Sequence, residues 1–199
     1  SDPAGKFGVA RLTASMLDEG AGTRSSLEIA DAVDFLGADL EVTAGTDASA
    51  VRLHVPVARL ADALPIAADV AIRPTFPANE MERVRRERLT SILQARDDPR
   101  AIDAAGFSRV VYGPDHRYGT PSYGTAETVK MLTAADLRAF HAAAFQPSNA
   151  ALLVVGDVAL ESVMPLVQAS FGGWRAAGPA APLTANLATV QQPARREVV

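Results

Sequence analysis

The stretch Gly8-Val9-Ala10-Arg11-Leu12-Thr13-Ala14-Ser15-Met16-Leu17 reads as an amphipathic helix. Val9, Leu12, Met16 and Leu17 fall on one face at helical spacing, and Gly20 is a natural C-terminal stop, so the pattern predicts a helix from about Lys6 to Glu19. Arg11 and Ser15 are one turn apart and share a face. Far downstream, Glu87-Arg88-Leu89-Thr90-Ser91-Ile92-Leu93-Gln94 lies in a second predicted helix, over 78–96, with Glu87 and Gln94 two turns apart on one stripe.

Working outward, helices and strands alternate. Ser25 and Glu28 form a capping box for a helix through Ile29, Val33 and Leu36 that stops at Gly37. Strands follow over 39–45 and 50–55 across a Thr46-Asp47 turn, with Val51, Leu53 and Val55 alternating against Arg52 and His54, so that one face is wet. Further helices are expected over 57–72, bent at Pro65, and over 99–111. A Gly/Pro/Tyr-rich loop spans 113–125, and a Thr133/Asp136 capping box opens a helix through Leu137, Phe140 and Phe145. Residues 150–155 read as a buried central strand and 160–171 as a closing helix, while the Ala/Pro/Gly/Thr composition beyond Trp174 reads as an extended linker.

The chain has 199 residues, 48% of them hydrophobic, enough for one domain with a sizeable core. Nineteen basic and 23 acidic residues give a net charge of −4, which offers no electrostatic basis for binding nucleic acid. The run 83–88 holds four Arg, but Glu82 and Glu87 are interleaved with them, which reads as a solvated, ion-paired helix face. The absence of Cys excludes disulfides, thiolate catalysis and Cys-based metal sites. The longest strongly apolar run, 150–155, is strand-length, so no segment spans a membrane. His54, His116 and His141 show no metal-ligand spacing, and Thr13-Ala14-Ser15 lacks the Gly-x-Ser-x-Gly elbow of a serine hydrolase.

A series of short signatures runs through the chain in order. They are Gly22-Thr23-Arg24-Ser25, Glu28-Ile29-Ala30, Leu36-Gly37-Ala38, Pro74-Thr75-Phe76-Pro77, Asp98-Pro99, Tyr112-Gly113, His116-x-Tyr118-Gly119, Gly124-Thr125, Pro147-x-Asn149-Ala150, Val154-Val155-Gly156-Asp157-Val158 and Phe171-Gly172-x-Trp174. With the opening stretch, this order resembles the M16 family of zinc peptidases (insulinase, pitrilysin, mitochondrial processing peptidase). Active members carry an inverted zinc motif, H-x-x-E-H, on the first helix and a Glu ligand on the later one. Here the three motif positions read Arg11, Ala14 and Ser15, and the later ligand position falls on Gln94. Imidazole and carboxylate hold such a zinc, and the motif Glu takes a proton from its bound water. A guanidinium, a hydroxyl and an amide do not replace these ligands, and Ala14 cannot take a proton.

The resemblance therefore implies an inactive M16-type domain with no catalytic residues, no metal and no cofactor. The implied fold is α+β, an antiparallel-rich sheet backed by helices, of the LuxS/MPP-like metallohydrolase type. It implies such a domain over 1–176, lacking its first strands, and a linker over 177–199 toward a second domain. In the family, catalytic and non-catalytic copies enclose a peptide between them, and the second domain of some members supplies an Arg/Tyr pair. The implied partners are a catalytic M16 domain with an intact zinc motif and a peptide substrate, without nucleic acid or membrane insertion. An alternative is a scaffold subunit like the core proteins of respiratory complexes; a free-standing peptidase is disfavoured by the altered helices. The Ala/Arg-rich composition leans bacterial, and the resemblance leans to the periplasm. In the vacated site, Arg11 is expected to pair with Glu87, with Ser15 or Gln94 taking the remaining hydrogen bonds.

Overall fold

Local signals set most of the elements. In this computed structural model, which describes residues 2, 3, 5–114 and 116–176, α1 is Val9–Ala14. Asp2 caps it, its carboxylate accepting from the backbone N–H groups of Gly8 (2.7 Å) and Ala10 (2.9 Å). Two short antiparallel strands, β1 (Gly20–Ala21) and β2 (Arg24–Ser25), turn the chain into α2 (Ser26–Phe35). The Ser25/Glu28 capping box is formed, and Gly37 ends the helix in the left-handed region, at φ 61°.

Strands β3 (Asp39–Ala44) and β4 (Ser49–His54) pair antiparallel. Leu40 sits opposite Leu53 and Val42 opposite Val51, and these residues pack on the core. On the other face Glu41 pairs with Arg52 at 2.7 Å. The remaining α-helices among the described residues are α3 (Leu60–Ile72), α4 (Ala78–Gln94), α5 (Pro99–Tyr112), α6 (Ala126–Met131), α7 (Ala134–Ala144) and α8 (Leu160–Phe171). The expected Thr133/Asp136 capping box opens α7, and Pro65 is accommodated inside α3.

One core joins these elements. Leu12, Met16 and Leu17 from the first segment, Ile29 and Val33 from α2, Val70 from α3 and Leu137 from α7 are all buried in it. α1 lies against α7 and β3, α3 against β4 and α8, and α4 against α6. Full burial of each such aliphatic side chain contributes about 1.5–3 kcal/mol before conformational entropy is subtracted.

Two expectations are corrected. The first helix is shorter than 6–19: Gly8 is left-handed (φ 90°), and beyond Ala14 the chain tightens through bonds from Met16 N to Thr13 O (3.0 Å) and Leu17 N to Ala14 O (3.2 Å). Both Met16 and Leu17 still reach the core. Residues 150–155 are not a buried strand. Among the described residues no strand lies beside them, and Leu153 and Val155 are 81% and 96% exposed. An apolar run becomes a central strand only when neighbours supply ladder hydrogen bonds and cover on both faces. The expected linker, 177–199, lies outside the described residues.

Candidate functional site

The start of α1 is locked to the loop around residues 120–124 by two glycines. A Cβ on Gly8 would lie 2.7 Å from the carbonyl oxygen of Tyr123, and one on Gly124 would lie 2.4 Å from that of Phe7, so only glycine permits the close approach. This brings Ser122 over the exposed face of α1, where Arg11 donates from Nη1 to its Oγ at 3.3 Å. One turn on, the Ser15 hydroxyl donates to the Arg11 carbonyl at 3.0 Å, which leaves its lone pairs free.

The second wall is α4. Met81 and Val84 form its buried stripe, and Arg88 continues that stripe at helical spacing. Its guanidinium is half-buried and donates from Nη2 to Ser15 Oγ at 3.1 Å. Burial, and then the nearby positive charge of Arg11, hold this guanidinium below the usual arginine range. Among the described residues neither Arg11 nor Arg88 has an ion pair; those of the run 83–88 belong to Arg83 and Arg85.

The structure thus corrects the expected pair of Arg11 with Glu87. Glu87 lies one residue off the inward stripe, is exposed, and accepts from Arg83 Nη1 at 2.8 Å. Arg83 also pairs with Glu80 and with Glu19 beyond α1, so a clamp between the two segments exists but is made by other residues. The basic run is not wholly a solvated face either. Arg85 donates to the carbonyls of Val129, Lys130 and Leu132 at the end of α6, where a cation suits the exposed carbonyls. Gln94 ends α4 and is exposed, whereas the contact to Ser15 is made by Arg88; Ala14 is buried.

Residue types decide what this site can hold. Two guanidiniums and two serine hydroxyls offer no imidazole or carboxylate and repel a dication, so they do not suit a zinc ion. Among the described residues no group of three or more His, Asp or Glu could hold a metal. The histidines are apart in role: His54 is on β4, His116 stacks on Tyr112 with ring centroids 5.4 Å apart, and His141 on α7 contacts the Ala71 carbonyl at 2.9 Å.

Residues 1–107 match the family described as insulinase (peptidase family M16), and residues 131–199 match the peptidase M16 inactive domain. The chain belongs to the M16 family. An M16 relative, an "uncharacterized zinc protease" of Mycobacterium tuberculosis, is 30% identical over 165 residues, covering 83% of this chain and 37% of the relative. Another, from Bacillus subtilis, is 26% identical over 173 residues, covering 87% and 42%. The chain therefore spans less than half the length of these relatives. A solved M16 structure, the peptidase M16 inactive domain from Pseudomonas fluorescens, superposes with a TM-score of 0.82 at 30% identity, covering 96% of this chain and 45% of that one. Pitrilysin, at 19% identity and a TM-score of 0.75, shares the fold. The expected α+β class, an antiparallel-rich sheet backed by helices, is that of M16 peptidase domains, and among the described residues its strands form two two-stranded antiparallel sheets.

Neither Arg88 nor Ser122 is among the site residues that the sequence pattern points to. The signal for Arg88 was its phase with Met81 and Val84; Ser122 carried none, because loop geometry alone brings it to α1.

Proposed function

We propose that this chain is a non-catalytic M16 domain that pairs with a catalytic, zinc-bearing M16 half or subunit and helps enclose a peptide. The observation that carries this reading is the Arg11–Ser15–Arg88 cluster, where α1 and α4 meet over a pair of positive charges rather than over metal ligands. Nothing in that cluster can activate a water or accept its proton at neutral pH. The match to the M16 inactive domain and the likeness to an inactive-domain structure support the same reading.

Metal analysis and a two-part peptidase assay test it. The purified chain, free of any tag, is expected to hold well under one equivalent of zinc and to leave an unstructured peptide intact. Mixing it with a catalytic M16 chain should then produce chelator-sensitive cleavage above that of the catalytic chain alone. One tightly held zinc, or chelator-sensitive cleavage by this chain alone, contradicts the proposal. A stable complex with unchanged cleavage points instead to a scaffold.

A further inference from the structure

We propose that the position bounded by Arg11, Arg88, Ser15 and Ser122 is an anion site that takes the carboxylate of a peptide. The peptide half of this statement rests on the M16 reading above; the anion half rests on geometry alone.

The Arg88 guanidinium from α4 seats on Ser15, whose own hydroxyl bonds the Arg11 carbonyl one turn back on the same face, so two guanidiniums from different helices share this patch, yet among the described residues no carboxylate pairs with either. Each is anchored by a single serine hydroxyl, Arg11 by Ser122 at 3.3 Å and Arg88 by Ser15 at 3.1 Å. Each guanidinium has five N–H donors, so most stay available. Like charges held together, one of them half-buried, are unfavourable, and an anion between them removes the repulsion while accepting charge-assisted hydrogen bonds. The surrounding charges do not compete for this role, because Glu87 and Glu80 are both engaged by Arg83.

Ser122 has a second side. It lines a cavity of about 500 Å³ between α5 and the loop 117–123, walled also by Ala101, Ala104, Tyr112, Tyr118 and Tyr123, and by Arg117, which reaches Asp47 at 3.9 Å. Small side chains and aromatic rings next to a basic pair suit a peptide residue whose carboxylate is fixed at the guanidiniums. The carboxylate can be a C-terminus or an Asp or Glu side chain, and both offer the same chemistry.

Side-chain NMR and calorimetry on the 199-residue chain at low salt test the site. Titration with sodium acetate should shift the Nε–Hε signals of Arg11 and Arg88 saturably and leave that of exposed Arg100 in place. Three peptides of one neutral sequence are then compared: free C-terminus, amidated C-terminus, and amidated with a central Glu. At least one carboxylate-bearing peptide should bind about tenfold or more tightly than the neutral one. Which of the two does so identifies the source of the carboxylate. Arg11→Gln and Arg88→Gln should each abolish the preference, Arg100→Gln should not, and circular dichroism verifies that each variant folds. Arg11→Gln lies at an exposed position, so it keeps the test valid if Arg88→Gln does not fold. Equal binding of all three peptides, or a preference surviving in the folded Arg11→Gln variant, overturns the proposal. None of these readouts involves zinc or a catalytic partner, so they stand or fall separately from the proposed function.

Discussion

At the scale of single residues, α1 combines two kinds of polar side chain, and their fates differ. Arg11 and Ser15 find hydrogen-bond partners, whereas Thr13 is fully buried and its Oγ1 has none among the described residues. A buried hydroxyl without a partner costs about 1–3 kcal/mol, and valine fills the same volume without it. Thr13→Val should therefore raise stability by about 1 kcal/mol in urea unfolding; an unchanged or lower midpoint shows that the hydroxyl is satisfied by water. The difference between Glu87 and Arg88 is also a matter of single residues. Composition makes the run 83–88 look like one solvated, ion-paired face, but the phase of Met81 and Val84 turns Arg88 inward and leaves Glu87 outside. Helical phase was legible in the sequence; the contact of Arg11 with Ser122, across 111 residues of chain, was not.

Among the elements, α7 shows how a strong local signal survives into the fold. Thr133 Oγ1 accepts from Asp136 N, and the Asp136 carboxylate accepts from both Thr133 N and Lys6. Lys6 and the Thr133 hydrogen bonds hold that carboxyl down to about 2. Replacing the cap, Thr133→Ala, should cost about 1 kcal/mol in chemical denaturation. At the other end of α7, His141 stacks on Phe145 and bonds the Ala71 carbonyl, and burial is the main cause holding its imidazole below the ordinary value, opposed by that bond. The folded state then binds its proton less readily than the unfolded chain does. Stability from this group is thus present above the unfolded value of about 6.5 and falls as pH drops below it. Unfolding midpoints at about pH 7.5 and about pH 5.5 should separate more for the native chain than for His141→Phe. Equal separation refutes a buried neutral imidazole. The Ser25/Glu28 and Thr133/Asp136 capping boxes, the hairpin and the stop at Gly37 were readable because each is fixed by residues a few positions apart, whereas the stop at Gly20 was not, α1 ending already at Ala14. The run 150–155 was misread because its state depends on what lies beside it, which no local pattern records.

For the molecule as a whole, that run leaves Leu152, Leu153, Val154 and Val155 exposed together. A contiguous apolar stretch of this kind favours self-association. Leu153→Lys with Val155→Lys should leave unfolding stability within about 0.5 kcal/mol of the native value while lowering the weight-average mass measured by light scattering at high concentration. A large loss of stability shows instead that these side chains are packed in solution. The seating of α1 on α7 has a different consequence, in time. Lys6 and Asp136 meet although 130 residues separate them, and the face of α1 that carries Leu12 cannot close until Leu137 exists. At ribosomal speeds of about 5–20 residues per second, the first helix waits on the order of ten seconds, its oily side in water, for the helix that will cover it. That interval, set by the 130 residues between the two contacts, is the one in which a holding chaperone can act on this face of α1.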